Sequence, residues 1–174
     1  HQTTWCAEKT IEFMHQDHQG PWMACVNIYD PHPPFNPPRR YRDLFDPADM
    51  PGPLFRESDI EQQKKLARVD FQSVVRSPDA LDISDPLRAQ RGRSADGRVL
   101  QAAYYAMIKL IDDQVGRIIA SLDASGQRDN TVVIFTSDHG EMLGDHGLIQ
   151  KGCRFYEGLV RVPLIFSWPG HFAE

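Results

Sequence analysis

The chain has no apolar run that approaches the roughly 18 residues a transmembrane helix needs. Its first residues, HQTTWCAEKT, include neither an initiator methionine nor the apolar core of a signal peptide. We therefore expect no membrane span and no membrane partner. We also expect the chain to be a processed product or a piece of a longer protein.

Cysteine is scarce, and basic residues are not in excess. The three cysteines (Cys6, Cys25 and Cys153) are odd in number and form no Cys-x-x-Cys pair. This argues against a disulfide framework and favours a reducing compartment such as the cytoplasm, with the periplasm left open. The net charge of −5 and the pI near 5.8 argue against a nucleic-acid partner, because phosphate contacts need clustered Lys and Arg.

Helix and buried-strand patterns alternate along the chain. Apolar residues recur every three or four positions over 98–124, which predicts a long amphipathic helix. Shorter helices are predicted at 3–18 and 58–69, and near-continuous apolar runs predict buried strands at 22–29, 131–137 and 162–168. These patterns indicate an α/β fold, with a mixed, largely parallel sheet flanked by helices. The polar stretch 39–97 is predicted to be a variable loop or insert, and RGRSADGR within 91–98 a mobile loop.

Polar side chains follow two of the predicted strands. TSDHGEMLGDHG at 136–147 places Asp138 and His139 directly after one strand, and DPHPPFNPP at 30–38 places Asp30 and His32 after another. In open α/β sheets, ligands bind in the crevice beyond the carboxyl ends of the strands. We therefore expect both Asp/His pairs at one edge of the sheet.

An Asp beside a His is a ligand pair for a divalent cation. Carboxylate oxygen suits Ca²⁺, Mg²⁺ or Mn²⁺, whereas imidazole favours transition metals, and two adjacent residues cannot complete a coordination sphere. Lys151 follows in the same glycine-rich segment and suggests that an anionic group binds there. Metal, Lys and His around one anion would stabilise charge on a transferring phosphoryl or sulfuryl group.

Several other polar residues have structural interpretations. Asp145 could equally serve local turn chemistry, since an Asp after a strand often caps a helix. His146 is interpreted as a structural histidine, His15 and His18 as ordinary helix-face residues, and Tyr104-Tyr105 as core and flank.

The segment SDHGEMLGDHG followed by GLIQKG resembles the C-terminal signature of the sulfatase family, within the alkaline phosphatase superfamily. The upstream stretch 104–140 and the DPHPPF loop are similar to the same family, and the likeness covers about 22–38 and 100–169. The resemblance implies an alkaline-phosphatase-like fold and hydrolysis of small anionic sulfate esters. Phosphonate monoester or phosphodiester hydrolysis, or anion binding without catalysis, stay open as alternatives.

The resemblance also assigns roles to matching positions. It implies that Asp138 and His139 are metal ligands, although many sulfatases carry Asn in place of His139. Lys151 would bind the sulfate and steady the leaving group, and His32 would contact the sulfate or the leaving-group oxygen as general acid. The metal implied is Ca²⁺, with Mn²⁺ left open by the imidazole.

The family's nucleophile is a formylglycine matured from Cys or Ser in a Cys/Ser-x-Pro-x-Arg motif. None of the three cysteines here is followed by x-Pro-x-Arg, and we interpret no serine, including Ser77 and Ser84, as the start of the motif. The family's N-terminal acidic metal ligands are also absent. We interpret 1–174 as one partial sulfatase catalytic domain that lacks the N-terminal nucleophile segment. Alone, such a chain is expected to bind metal weakly, to hydrolyse nothing, and to expose sheet edges that favour a homo-oligomer or pairing with another chain.

Overall fold

The computed structural model describes residues 1–66 and 97–172. The α-helices in this part of the chain are α1 (Gln2–Met14), α2 (Arg39–Arg42), α3 (Glu57–Leu66), α4 (Gly97–Ala124) and α5 (Glu157–Val160). The strands are β1 (Val133–Thr136) and β2 (Leu164–Ser167), and short 3-10 turns occupy Pro47–Asp49, Arg128–Asn130 and Asp145–Gly147. No helix in the described ranges is long and apolar enough to cross a membrane.

Helix α4 is the central element, and its prediction over 98–124 is confirmed. Its apolar stripe buries Leu100, Met107 and Leu110 almost completely, and each such burial stabilises the fold by about 1.5–3 kcal/mol. Beyond its last turn, Gly126 adopts a φ of +69°. The N–H of Gln127 then reaches back to the carbonyl of Leu122 at 3.0 Å, which ends the helix in a Schellman motif.

Strands are found at the predicted positions 131–137 and 162–168, although both are shorter than expected. Their predicted burial is wrong in the described structure, since Ile134 and Ile165 are each 55% exposed and Leu164 is 64% exposed. β1 and β2 pair with each other in an antiparallel arrangement, with Val133 opposite Ser167 and Thr136 opposite Leu164. The expectation of a largely parallel sheet is therefore not met in the described residues. Near-continuous apolar runs are typical of strands in parallel sheets, but strand direction is set by which segment supplies the ladder hydrogen bonds.

The strand predicted at 22–29 is absent from the described structure, where this segment has no regular secondary structure. Met23, the second residue of the run, is 87% exposed. A strand is defined by ladder hydrogen bonds to a neighbour, and no described segment supplies that neighbour. The run makes no strand ladder in the described structure, so its apolar pattern alone was insufficient to predict a strand.

Residues 39–66 are more regular than predicted, because they contain α2, α3 and a 3-10 turn. Tyr41 of α2 packs against Ala106 and Leu110 of α4, with Phe45 alongside. The helix predicted at 58–69 is confirmed over Glu57–Leu66. Residues 67–96, including most of RGRSADGR, lie outside the described residues, and the division at 39–97 stays a prediction.

Candidate functional site

The first Asp-His-Gly tripeptide, at 138–140, begins two residues after the end of β1. Its glycine lies directly against α5: the Gly140 N–H donates to the carbonyl of Leu159 at 2.8 Å. A Cβ at Gly140 would lie 1.9 Å from the carbonyl oxygen of Gly158, so only glycine fits this contact. The close approach fixes where the preceding Asp138 and His139 side chains emerge.

Asp138 and His139 present two donor atoms side by side. The Nδ1 of His139 donates to the carbonyl of Gly140 at 2.8 Å, and since a carbonyl can only accept, the proton of the neutral ring sits on Nδ1. The Nε2 of His139 then carries a lone pair and lies 3.5 Å from Oδ2 of Asp138. The side chains are 41% and 84% exposed, so both donors face an open region.

The Asp138 carboxylate is held in its ionised form. Partial burial tends to raise its pKa, but the backbone N–H of His139, at 2.9 Å from Oδ1, and the positive charge that the His139 ring carries when it is protonated outweigh burial and lower it. The hydroxyl of Ser137 adds a longer hydrogen bond at 3.4 Å.

This pair fits part of a divalent metal site. Metal-binding histidines typically donate their other ring N–H to a carbonyl or carboxylate, which is the arrangement of His139 and Gly140. A carboxylate oxygen and an imidazole nitrogen suit Mn²⁺ and similar cations, and the carboxylate also suits Ca²⁺. Across residues 1–66 and 97–172 no group of three or more His, Cys, Asp or Glu side chains gathers to hold a metal. The pair therefore supplies only part of a coordination sphere.

Lys151 lies at the end of the loop that follows this pair. Its Nζ is 3.8 Å from Oε2 of Glu141, whose side chain is only 4% exposed, against 20% for the lysine. Burial raises the pKa of the Glu141 carboxyl, while Lys151 and the backbone N–H groups of Met142, Gln150 and Leu143 oppose that rise. Sequence reasoning missed Glu141. Its position between Gly140 and the apolar pair Met142-Leu143 indicated that this acidic side chain is buried.

His32 lies in the proline-rich loop, as predicted, and its orientation is fixed locally. Its Nδ1 donates to the carbonyl of Pro33 at 2.8 Å, and its ring centroid is 4.5 Å from that of Tyr29. The side chain of Asp30 makes different contacts from those of His32. The Asp30 carboxylate instead accepts from the hydroxyl of Thr3 and lies 3.2 Å from Nδ1 of His1, so it anchors the start of α1.

Tyr104 of α4 connects the two loops. Its ring centroid is 6.0 Å from that of Phe35 in the proline-rich loop. Burial and the nearby carboxylates of Glu141 and Asp138 raise the pKa of Tyr104 to about 12, so the phenol stays protonated. The interpretation of Tyr104 as a core residue was incomplete. A tyrosine on the apolar stripe of a helix does not indicate which groups lie near its hydroxyl.

The second tripeptide, at 145–147, is tied to the segment that precedes α3. Oδ1 of Asp145 accepts from the N–H of Leu54 at 2.7 Å, and the N–H of His146 donates to the carbonyl of Leu54 at 2.7 Å. Nδ1 of His146 is 3.3 Å from Oδ1 of Asp59, and its ring stacks on Tyr156 with centroids 4.5 Å apart. These contacts agree with the structural interpretation of His146.

The other histidines set aside from the sequence also make structural contacts. Nε2 of His15 is 3.0 Å from the hydroxyl oxygen of Ser121, which joins α1 to α4. Nε2 of His18 donates to the carbonyl of Phe13 at 2.8 Å.

One point of the nucleophile interpretation needs correction. The run Ser84-Asp85-Pro86-Leu87-Arg88 does match Ser-x-Pro-x-Arg, so the pattern is present once in the chain. It lies outside the described residues. It also follows the DPHPPF loop, whereas the family's nucleophile motif precedes that loop.

Comparison with known proteins identifies the family of this chain. The Sulfatase family model matches residues 2–174. An arylsulfatase of Clostridium perfringens is 32% identical over the whole chain and 33% of its own length, and the multifunctional alkaline phosphatase superfamily protein PehA of Trinickia caryophylli is 31% identical over 97% of the chain and 32% of its own length. The crystal structure of the phosphonate monoester hydrolase of Agrobacterium radiobacter superposes with a TM-score of 0.78 at 35% identity, over 98% of the chain and 34% of that protein.

The chain spans about a third of the length of these relatives. Their likeness extends along nearly all of it, and the solved neighbour has the alkaline-phosphatase-like fold that the sequence indicated. The chain belongs to the sulfatase family.

Proposed function

We propose that this chain forms the metal-binding and anion-binding part of a hydrolase that cleaves small sulfate esters. The observation that carries the proposal is the donor pair made by Nε2 of His139 and Oδ2 of Asp138, with Lys151 in the loop that follows. The family supports hydrolase chemistry, and the arylsulfatase relative supports sulfate esters as the substrate class.

Asp138 and His139 would hold the divalent cation, with further ligands from outside the described residues. A cation there would supply Lewis-acid polarisation of the sulfuryl oxygens. Ca²⁺ is the metal we propose first, because a carboxylate is one of the two donors, and Mn²⁺ second, because the other donor is an imidazole.

Lys151 and His32 would act on the substrate itself. The ammonium group of Lys151 would bind a sulfate oxygen and stabilise the negative charge that develops on the leaving oxygen. Because the N–H at Nδ1 of His32 is committed to the carbonyl of Pro33, the proton that His32 gives to the leaving oxygen would sit on Nε2.

The nucleophile would be a formylglycine supplied from outside residues 1–174. Ser84 is the competing candidate inside the chain, because it alone begins a Ser-x-Pro-x-Arg run. Mass spectrometry of tryptic peptides from the full-length protein distinguishes the two, since only the true nucleophile position would carry the aldehyde. A Ser84→Ala variant with full activity would exclude the serine.

The nearest alternative is hydrolysis of phosphonate monoesters. The Agrobacterium radiobacter neighbour supports it, because it matches nearly the whole chain and bears that activity in its name. Sulfate monoesters and phosphonate monoesters both carry a single negative charge when ionised, so charge at the site does not separate them.

The experiment is a comparison of kcat/KM for 4-nitrophenyl sulfate and 4-nitrophenyl phenylphosphonate with the full-length protein. The protein is first stripped with EDTA and then reloaded with Ca²⁺ or Mn²⁺. Metal-dependent turnover that favours the sulfate ester supports the proposal, whereas preference for the phosphonate supports the alternative. Binding of sulfate with no turnover of either ester would contradict both and indicate a non-catalytic anion-binding module.

A further inference from the structure

We propose that Glu141 is a positioning residue that holds Lys151 at the anion site and shapes the loop between them. This inference rests on the proposed function, in which Lys151 stabilises the leaving oxygen. Its basis is the buried carboxylate of Glu141 and the facing ammonium group, 3.8 Å apart.

The Glu141 carboxylate contacts both ends of the loop 142–150. Its Oε1 accepts from the N–H of Met142 at 3.1 Å, and the N–H groups of Gln150 and Leu143 also interact with it. Its Oε2 faces Nζ of Lys151. One side chain therefore connects the start of the loop, its end and the lysine that follows.

The backbone of the loop closes around the same point. The N–H of Met142 donates to the carbonyl of Gln150 at 3.3 Å, which brings the two ends together. Leu143 and Gln150 both have positive φ angles, +50° and +65°, which are uncommon outside glycine and persist only where surrounding contacts determine them. The hydrogen bond from the N–H of Met142 to Oε1 of Glu141, at 3.1 Å beside Leu143, is such a contact.

The remaining anchor lies in the main chain of Glu141. Its N–H donates to the carbonyl of Gly158 at 3.1 Å, next to the bond between Gly140 and Leu159. Because Gly140 follows His139 directly, the loop that carries Lys151 and the proposed metal ligands are fixed to the same α5 backbone. Glu141 thus sets the position of the lysine relative to Asp138 and His139.

Holding the lysine in place has a chemical consequence. A lysine side chain has several rotatable bonds, and binding an anion normally costs much of that freedom. Its ammonium group has three donors, so one directed to Glu141 leaves others for a substrate oxygen. A lysine that is already oriented stabilises charge in the transition state without first being ordered.

A leaving-group series in the full-length protein tests the proposal. We expect Glu141→Gln to lower kcat about 10–100-fold, the range found for groups that orient a reacting side chain, for esters with poor leaving groups such as unsubstituted phenyl. For 4-nitrophenyl esters the loss should be much smaller, because that leaving oxygen needs little stabilisation. Lys151→Ala should show the same dependence on the leaving group, and the double variant should lose little beyond Lys151→Ala alone.

Controls separate positioning from simple folding damage. Glu157→Gln removes an exposed carboxylate from neighbouring α5 and should leave every rate unchanged. Glu141→Asp keeps the charge but shortens the side chain, and should give an intermediate loss with the same leaving-group dependence. A fall by one common factor for all esters, or an additive double variant, would overturn the proposal.

Crystal structures make the test independent of turnover. In Glu141→Gln we expect the Lys151 side chain to lose its ordered position while Asp138 and His139 stay in place. An unmoved, ordered Lys151 in the variant would overturn the positioning role even if the protein is an active hydrolase. If the wild-type protein hydrolyses no ester but Lys151 becomes disordered as expected, the proposed function fails and the positioning role stands.

Discussion

The two Asp-His-Gly tripeptides of this chain have the same sequence and opposite surroundings. At the first, Asp138 is 84% exposed, and Nε2 of His139 lies 3.5 Å from its carboxylate. At the second, Asp145 accepts from the N–H of Leu54, and His146 is bound through both its backbone and its ring. The first pair is left open for a ligand, whereas the second ties the segment before α3 to the loop.

The difference teaches that residue type alone does not define a metal site. Both tripeptides offer a carboxylate and an imidazole, and in both histidines Nδ1 has a partner in the chain. In the first tripeptide, Nε2 of His139 lies 3.5 Å from the carboxylate of Asp138 beside it. At the second, the His146 ring stacks on Tyr156 and its Nδ1 faces Asp59, while the Asp145 carboxylate accepts from the N–H of Leu54. The fold therefore directs the donor atoms of the two tripeptides to different partners.

The largest expected effect comes from removing the first tripeptide's carboxylate. Asp138→Ala in the full-length protein should abolish metal retention and lower kcat/KM by more than about 10³, since loss of a single oxyanion donor already costs about 10²–10³. Metal content by plasma mass spectrometry and ester turnover measure this. His146→Ala is the matched control, and a similar metal loss there would break the distinction between the tripeptides.

Lys151→Ala should have the next largest effect. We expect kcat to fall by about 10²–10³, because a donor aimed at developing negative charge is lost. Lys151→Arg should recover only part of the rate, since a planar guanidinium does not replace a compact ammonium. If Lys151→Ala retains its metal, the lower kcat comes from lost stabilisation of the anion. If Lys151→Ala has the wild-type kcat, Lys151 has no part in the mechanism.

Gly140→Ala tests how the first tripeptide is fixed. The new Cβ would lie 1.9 Å from the carbonyl oxygen of Gly158, so the loop must move away from α5. We expect a loss of stability of about 3 kcal/mol, at the upper end of what overpacking costs, measured as a lower thermal unfolding midpoint. Gly116→Ala is the control, because nothing lies within 4 Å of its Cβ position in α4, and it should raise stability by about 0.5–1 kcal/mol.

The smallest effect is expected at the second tripeptide. Asp145→Ala removes the acceptor for the N–H of Leu54 and should lower stability by about 1 kcal/mol, a typical value for one hydrogen bond. Metal content and kcat should not change. A drop in either, with folding intact, would mean that the second tripeptide also serves the reaction.

Much of the local structure was predictable from the sequence. The three- and four-residue spacing of apolar side chains located α4 and, less regularly, α1, because amphipathic periodicity is a local property of the chain. The β-branched and aromatic runs located β1 and β2. Two features were not predictable: the direction of the strands, and whether 22–29 forms a strand. Both depend on which segment supplies the ladder hydrogen bonds.

Some residues of the candidate site were also predictable from the sequence, and others were not. Asp138, His139, Lys151 and His32 were chosen from the sequence because of their residue types and their places after strands and within loops; their roles stay predictions. Glu141 and Tyr104 were missed, since nothing in the spacing shows that one faces Lys151 and that the other lies near two carboxylates.

By itself the sequence determined the family, the helices and the chemical groups available for a reaction. Each of these depends on the local composition and pattern of residues. Only the tertiary structure decided which Asp-His-Gly keeps its donors open and which one fastens two segments together. The reason is physical: identical tripeptides have identical intrinsic chemistry, and their difference comes from the carbonyls, N–H groups and rings that the fold places around them.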